Sequence, residues 1–229
     1  MFYLKKSLGG VVFCLLIACS SSPSLEAPSI TIPLSFTATI PLDPPSAADS
    51  IYQFLKNRGE LETPFLSQEL PLLFFWSGFI FSPTEEEALL ITTPDGQDYQ
   101  VDILSFVQGK WLPKTQLVVG GNPVAFACYL EDFNFDGIQD LFLQTSISNG
   151  YPISRGHLIL VDKKTKKLTV VEKAKKLGNL GVDSLQQMVL SEEVIWCEKD
   201  ASRAACQWYH RWEKGSLVLD RKECPCIPE

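Results

Sequence analysis

Between Ile30 and Ile40 every second residue is apolar: Ile30, Ile32, Leu34, Phe36, Ala38 and Ile40 alternate with Thr31, Pro33, Ser35, Thr37 and Thr39. A period of two belongs to a strand with one buried face. Pro33 on the polar side has no N–H to give a ladder, which places that strand at a sheet edge. Beyond Pro44 and Pro45 the period lengthens. Ser46-Ala47-Ala48-Asp49 has the form of a capping box with Asp in the place of Glu or Gln. Ile51, Phe54 and Leu55 share one helical face, and Gly59 ends it. A second short helix is expected over Ser184–Met188.

The remainder reads as short strands. Apolar or alternating runs occur at Leu72–Phe81, Leu89–Thr92, Tyr99–Leu104, Gln116–Val119, Phe126–Leu130 and Leu141–Thr145. They continue at His157–Val161, Leu168–Val171, Val194–Cys197, Cys206–Trp212 and Leu217–Leu219. Turn residues separate them at Pro94-Asp95-Gly96, Gln108-Gly109-Lys110, Asp162-Lys163-Lys164-Thr165 and Lys214-Gly215-Ser216. The pattern predicts a mainly β fold, an antiparallel sandwich or propeller-like array of β-sheets with one or two short helices. It shows no internal repeat.

The first residues change the picture of where the chain works. Lys5 and Lys6 precede an apolar run from Leu8 to Ala18, too short to span a bilayer and suited to a secretory signal. The run ends in Leu16-Ile17-Ala18-Cys19, which resembles the lipobox of bacterial lipoproteins. That resemblance implies removal of residues 1–18, lipidation of Cys19 and, with Ser20 rather than Asp next, an outer-membrane destination facing the periplasm. Attachment to the membrane then runs through the lipid alone. Residues 19–28 form a small, polar tether that reaches about 30 Å when extended. Residues 29–229 make a single mainly β domain, with a possible sub-boundary near 85–98.

Composition sets limits on function. The 229 residues carry 20 Lys+Arg against 27 Asp+Glu, a net charge of −7. Loss of Lys5 and Lys6 with the signal makes the mature chain more acidic still. Such a chain is a poor partner for a phosphate backbone, so no nucleic acid is expected, and it steers toward cationic proteins or divalent cations. The sequence has no nucleophile elbow, phosphate-cradling glycine loop or His-Glu-x-x-His, and a non-enzyme is expected. His210 shares a face with Cys206, Trp208 and Trp212 and reads as a packed structural side chain. Glu85-Glu86-Glu87 reads as a solvated loop or the start of a strand.

The sharpest chemical motif is Asp132-Phe133-Asn134-Phe135-Asp136-Gly137-Ile138-Gln139-Asp140. Asp132, Asn134, Asp136 and Asp140 stand at relative positions 1, 3, 5 and 9, Gly137 supplies the bend, and the Ile138 carbonyl falls at position 7. Ca²⁺ takes six to eight such oxygens, so these five residues are the predicted ligands. Leu143 stands where an EF-hand has Glu, and strands flank the loop. The loop resembles the Asp-x-Asn-x-Asp-Gly-x-x-Asp loops of FG-GAP-type β-proteins.

With this loop, the Ser148-Asn149-Gly150-Tyr151 turn and the closing Tyr209–Val218 stretch, the chain from about Tyr99 onward resembles a group of periplasmic lipoproteins. Some members are immunity proteins of type IV secretion killing systems. The resemblance implies binding and inhibition of a cationic, lysozyme-like peptidoglycan hydrolase, with Ser148, Asn149, Gly150 and Tyr151 as the contact turn. The alternative is a structural or adhesion module that binds polysaccharide or another protein. Five cysteines remain after maturation beyond Cys19: Cys128, Cys197, Cys206, Cys224 and Cys226. An exported chain permits disulfides. Cys197 and Cys206 are expected to bridge across a hairpin, and Cys128 to pair with Cys224 or Cys226, leaving one thiol over.

Overall fold

Pro44 and Pro45 open helix α1 (Pro44–Arg58), at positions where a missing N–H breaks no intrahelical bond. The helix therefore begins two residues before Ser46, where the sequence reading opens it. Asp49 accepts a hydrogen bond from the Trp111 backbone N–H at 2.9 Å, tying helix to sheet. The computed structural model describes residues 44–58, 60–61, 64–66, 71–148, 153–198 and 202–225. The Ile30–Ile40 alternation and Cys19 lie outside the described residues.

The strands fall into three antiparallel sheets, each a meander in chain order. The first holds β1 (Phe65–Leu66), β2 (Leu72–Gly78), β3 (Glu87–Thr92), β4 (Asp98–Val107) and β5 (Lys110–Gly120). The second holds β6 (Cys128–Glu131), β7 (Asp140–Ile147), β8 (Ser154–Val161) and β9 (Leu168–Val170). The third holds β10 (Gly178–Asp183), β11 (Met188–Cys197), β12 (Ser202–Glu213) and β13 (Ser216–Glu223). The fold is mainly β, as the sequence predicts, and is consistent with a sandwich; among the described residues no sheet closes into a barrel. Residues 85–98 hold β3 and its turn into β4, inside the first sheet.

Two cores explain the layering. Leu73, Leu89, Ile91, Val101 and Ile103 of the first sheet meet Leu141, Leu143, Ile159 and Val161 of the second. The intervening residues Phe142 and Leu158 turn to the other face and pack with Val189 and Leu217 of the third sheet. Alternate side chains of β7 and β8 thus enter different cores. A sheet buried on both faces reads as a continuous apolar run rather than an alternating one, and Leu141-Phe142-Leu143 and Leu158-Ile159-Leu160-Val161 are such runs. On the outside of the first sheet, Ala47, Ala48, Ile51, Tyr52 and Leu55 of α1 are buried. The Tyr52 ring lies 5.3 Å from Phe106 and 5.4 Å, edge-on, from Trp111.

Gly156 in β8 is required by the pairing of β8 with β7. A Cβ there would stand 2.0 Å from the Leu143 carbonyl oxygen, where the β7–β8 register shifts between Gln144 and Ser146. Hairpin turns behave as their residues demand: Gln108 and Gly109 have φ of 51° and 82°, and Lys214 and Gly215 have 49° and 76°, the paired left-handed geometry that matches strand twist.

Three expectations are corrected. Ser184–Met188 is not a helix: residues 184–187 form the turn between β10 and β11, held by Asp183 Oδ1 accepting the N–H groups of Leu185 and Gln186. An Asx turn outcompetes a one-turn helix whose Leu185 is 98% exposed and has no apolar face to bury. Strands β1 and β10 were not foreseen, the first too short and the second written Gly178-Asn179-Leu180-Gly181, which reads as loop. The third correction concerns the cysteines. Cys197 sits opposite Ser202 and Cys206 opposite Glu193, so the two are offset along the hairpin and do not bridge each other. Cys206 bonds Cys224, just beyond the end of β13, because Gln207 faces Glu223 in the neighbouring ladder. Cys197 is also disulfide-bonded. Cys128 is a free thiol, so its expected bridge to the tail is absent.

Candidate functional site

The Asp132–Asp140 segment is the corner between β6 and β7. Two apolar residues fix it from opposite sides: Phe133 is buried in the core shared with the third sheet, and Ile138 in the core shared with the first. The Phe133 carbonyl accepts the indole N–H of Trp212 at 2.7 Å. Phe135 and Gly137 have φ of 62° and 86°, the left-handed geometry that lets a nine-residue corner curl inward.

The curl gathers oxygen. Asp132 accepts the N–H of Asp136 at 3.1 Å and of Gly137 at 2.8 Å through its two carboxylate oxygens. Asn134 Oδ1 also accepts the Asp136 N–H, at 3.0 Å, so oxygens of positions 1 and 3 converge on one nitrogen. Asn134 Nδ2 donates to Asp136 Oδ2, and Asp136 Oδ1 accepts the Ile138 N–H. From the β8–β9 turn, Lys163 Nζ donates to the Asp136 carbonyl at 3.2 Å.

Asp140 takes a separate part. Its side chain is fully buried. One oxygen accepts N–H groups of Phe133 and Asn134, at 3.1 and 3.2 Å, and the other accepts Val161 N–H of β8 at 2.9 Å. Burial pushes its carboxyl up to about 7, against the pull of these hydrogen bonds, with the charges of Asp136 and Asp132 adding to the rise. Thus Asp132, Asn134 and Asp136 line the exposed side of the corner, while Asp140 clamps its base to the sheet. The donor set is all oxygen, which is the chemistry a hard cation takes. Among the described residues, no group of three or more His, Cys, Asp or Glu side chains is gathered as a metal site would gather it.

The other predicted site residues are apart from this corner. Ser148 follows the last residue of β7, and its N–H donates to the Ile153 carbonyl at 2.9 Å, closing the base of the β7–β8 connection. Asn149, Gly150 and Tyr151 fall outside the described residues. Burial raises the Cys128 thiol well above its ordinary range. His210 is buried, its Nε2 2.8 Å from Ser191 Oγ, and burial lowers its pKa. Its burial fits the structural role read from the sequence.

Two features escaped the sequence reading. Glu87 is fully buried and pairs with Lys114 at 3.2 Å, while Glu85 meets the same ammonium at 2.7 Å. Only tertiary structure brings Lys114, at the bulge of an edge strand, over the start of β3. Lys166 is 4% exposed, and its ammonium donates to the Phe81 carbonyl. Lys163 at the calcium-type corner was legible only as one of a run of turn lysines.

No family model and no curated protein matches the chain. Among solved structures, one described as the structure of a Xanthomonas type IV secretion system related protein is similar at 12% identity. The alignment covers 70% of this chain and 86% of that one, with a TM-score of 0.40. No helix among the described residues is long and apolar enough to cross a membrane.

Proposed function

We propose that this chain is a lipid-anchored, calcium-binding protein of the cell envelope that binds and inhibits a cationic peptidoglycan hydrolase. The observation that carries the reading is the corner at Asp132–Asp140: an all-oxygen donor set on a turn anchored in two cores. Asp132, Asn134, Asp136 and the Ile138 carbonyl would hold the ion, above the buried Asp140 at the base of the corner, and the ion would supply positive charge to a corner rich in carboxylate. The chain's own residues supply the rest. Phe133 and Ile138 keep the corner in place, and Asp140 ties it to β8.

The inhibitory contact is the Ser148–Tyr151 turn, which follows β7 directly. The Ser148–Ile153 hydrogen bond closes the base of this connection. Tyr151 offers a large, rigid surface with a polar tip for a hydrolase cleft. The chain's negative charge favours encounter with a basic enzyme, so association slows as salt rises.

The test is peptidoglycan digestion by a lysozyme-like hydrolase with and without the purified protein. Inhibition is expected, and Tyr151→Ala should weaken it by about 2 kcal/mol, roughly thirtyfold. Digestion that proceeds unchanged at a large molar excess would leave the structural or adhesion role standing instead. Inhibition untouched by Tyr151→Ala would keep the activity and move the contact elsewhere.

A further inference from the structure

Seven lysines fall between residues 163 and 176: Lys163, Lys164, Lys166, Lys167, Lys173, Lys175 and Lys176, out of 20 Lys+Arg in an acidic chain. Glu172 is the one acid among them. They occupy the β8–β9 turn and the 3-10 turn Glu172–Lys176, on either side of β9, an edge strand of the middle sheet. A three-residue strand spans about 10 Å, so the two groups lie about one Debye length apart.

Three of the seven are engaged. Lys166 is buried against the Phe81 carbonyl, Lys175 pairs with Glu172 at 2.7 Å, and Lys163 donates to the Asp136 carbonyl. Lys164, Lys167, Lys173 and Lys176 are exposed, and none of them forms an ion pair among the described residues. Lysines on an edge strand also keep it from pairing with another chain, but here they extend past the three-residue strand into the turns on both sides. Asp162, at the start of the turn, offsets part of the Lys164 charge; among the described residues the other three exposed ammonium groups have no acid partner and repel one another, and an extended anionic surface relieves that repulsion.

We propose that this lysine edge is a docking face for anionic lipid headgroups of the membrane to which the chain is tethered. The inference rests on the lipid-anchor reading above, which keeps the domain within a short tether's reach of that surface. Each lysine close to an anionic surface gains about a fivefold preference for it. Docked this way, the lysine edge faces the lipid and the acidic remainder of the chain is left to meet a cationic partner.

The test uses the whole lipidated protein reconstituted on vesicles of phosphatidylcholine alone, or of two parts phosphatidylcholine to one part phosphatidylglycerol. An amine-reactive reagent is applied and labelling is read at each lysine. On the anionic vesicles Lys164, Lys167, Lys173 and Lys176 should label several-fold more slowly than on neutral ones, with Lys110 unchanged and the difference lost at high salt. In a Lys164→Gln, Lys173→Gln, Lys176→Gln variant, protection of Lys167 should disappear. Equal labelling on both vesicles by a protein that floats with both overturns the docking face alone. The same protection produced on neutral vesicles by inorganic phosphate overturns it too, as a site for the free anion. A protein that fails to float even with neutral vesicles overturns the anchor, and the docking face with it.

Discussion

Asp102 and Asp136 show how one residue type serves opposite ends. Asp102 is 1% exposed on β4, and its two oxygens each accept an amide N–H, from Gln100 and Gln116, at 2.9 Å. Burial raises its pKa, and the two hydrogen bonds only partly offset that rise. A carboxyl with a folded pKa above its unfolded value favours the fold at pH below the unfolded value. That contribution is lost as pH rises through the folded value. Asp102→Asn should therefore raise the melting temperature at neutral pH, with the gap to the parent closing as pH falls toward 4; a gap independent of pH would assign the effect to packing. Asp136 is instead exposed at the corner. If the corner holds Ca²⁺, chelation should lower the melting temperature and added calcium restore it. At one hundred times the dissociation constant the ion contributes about 2.7 kcal/mol. Asp136→Ala should abolish that response, and a parent melt indifferent to chelator would leave the corner a turn held by its own hydrogen bonds.

At the scale of elements, the decisive arrangement is the pairing of β7 with β8. These two strands feed both cores, carry the corner at one end and lead into the 148–153 connection at the other, and are tied together by the Val161 N–H donating to the Asp140 side chain. Gly156 permits their close approach at the register shift. Because the atom that a side chain would meet is backbone, it cannot move aside cheaply. Gly156→Ala should destabilise the fold by about 2 kcal/mol or more, read from denaturant midpoints at constant m-value. A stability within about 0.5 kcal/mol of the parent would show that the strands can part without loss. The strands themselves were legible because their apolar runs are bounded by Gly, Asp and Lys turns. The short helix over Ser184–Met188 misled because a local Asp183 side chain decides that segment, and no periodicity reports it.

At the scale of the molecule, the three sheets are meanders built from local pairing, since each joins only consecutive strands. The proposal for its placement in the cell depends on Cys19. Cys19→Ser should shift the protein from the membrane fraction to the soluble periplasmic fraction, or leave unprocessed precursor. Mature-size protein still sedimenting with membranes would remove the lipid anchor.

By itself the sequence determined the class of fold, eleven of whose strands announce themselves in runs of apolar residues, and the corner at Asp132–Asp140, whose Asp, Asn and Gly residues are contiguous. Local patterns suffice there because a strand's burial and a turn's conformation are decided within a few residues. Tertiary structure alone decided the cysteine pairing, since Cys206 meets Cys224 through the register of β12 on β13 and not through spacing along the chain. It also decided which face of β7 enters which core, and the burial of Glu87 beneath Lys114. The physical reason is the same in each case. These contacts join residues far apart in the chain, and their geometry exists only after the sheets have stacked.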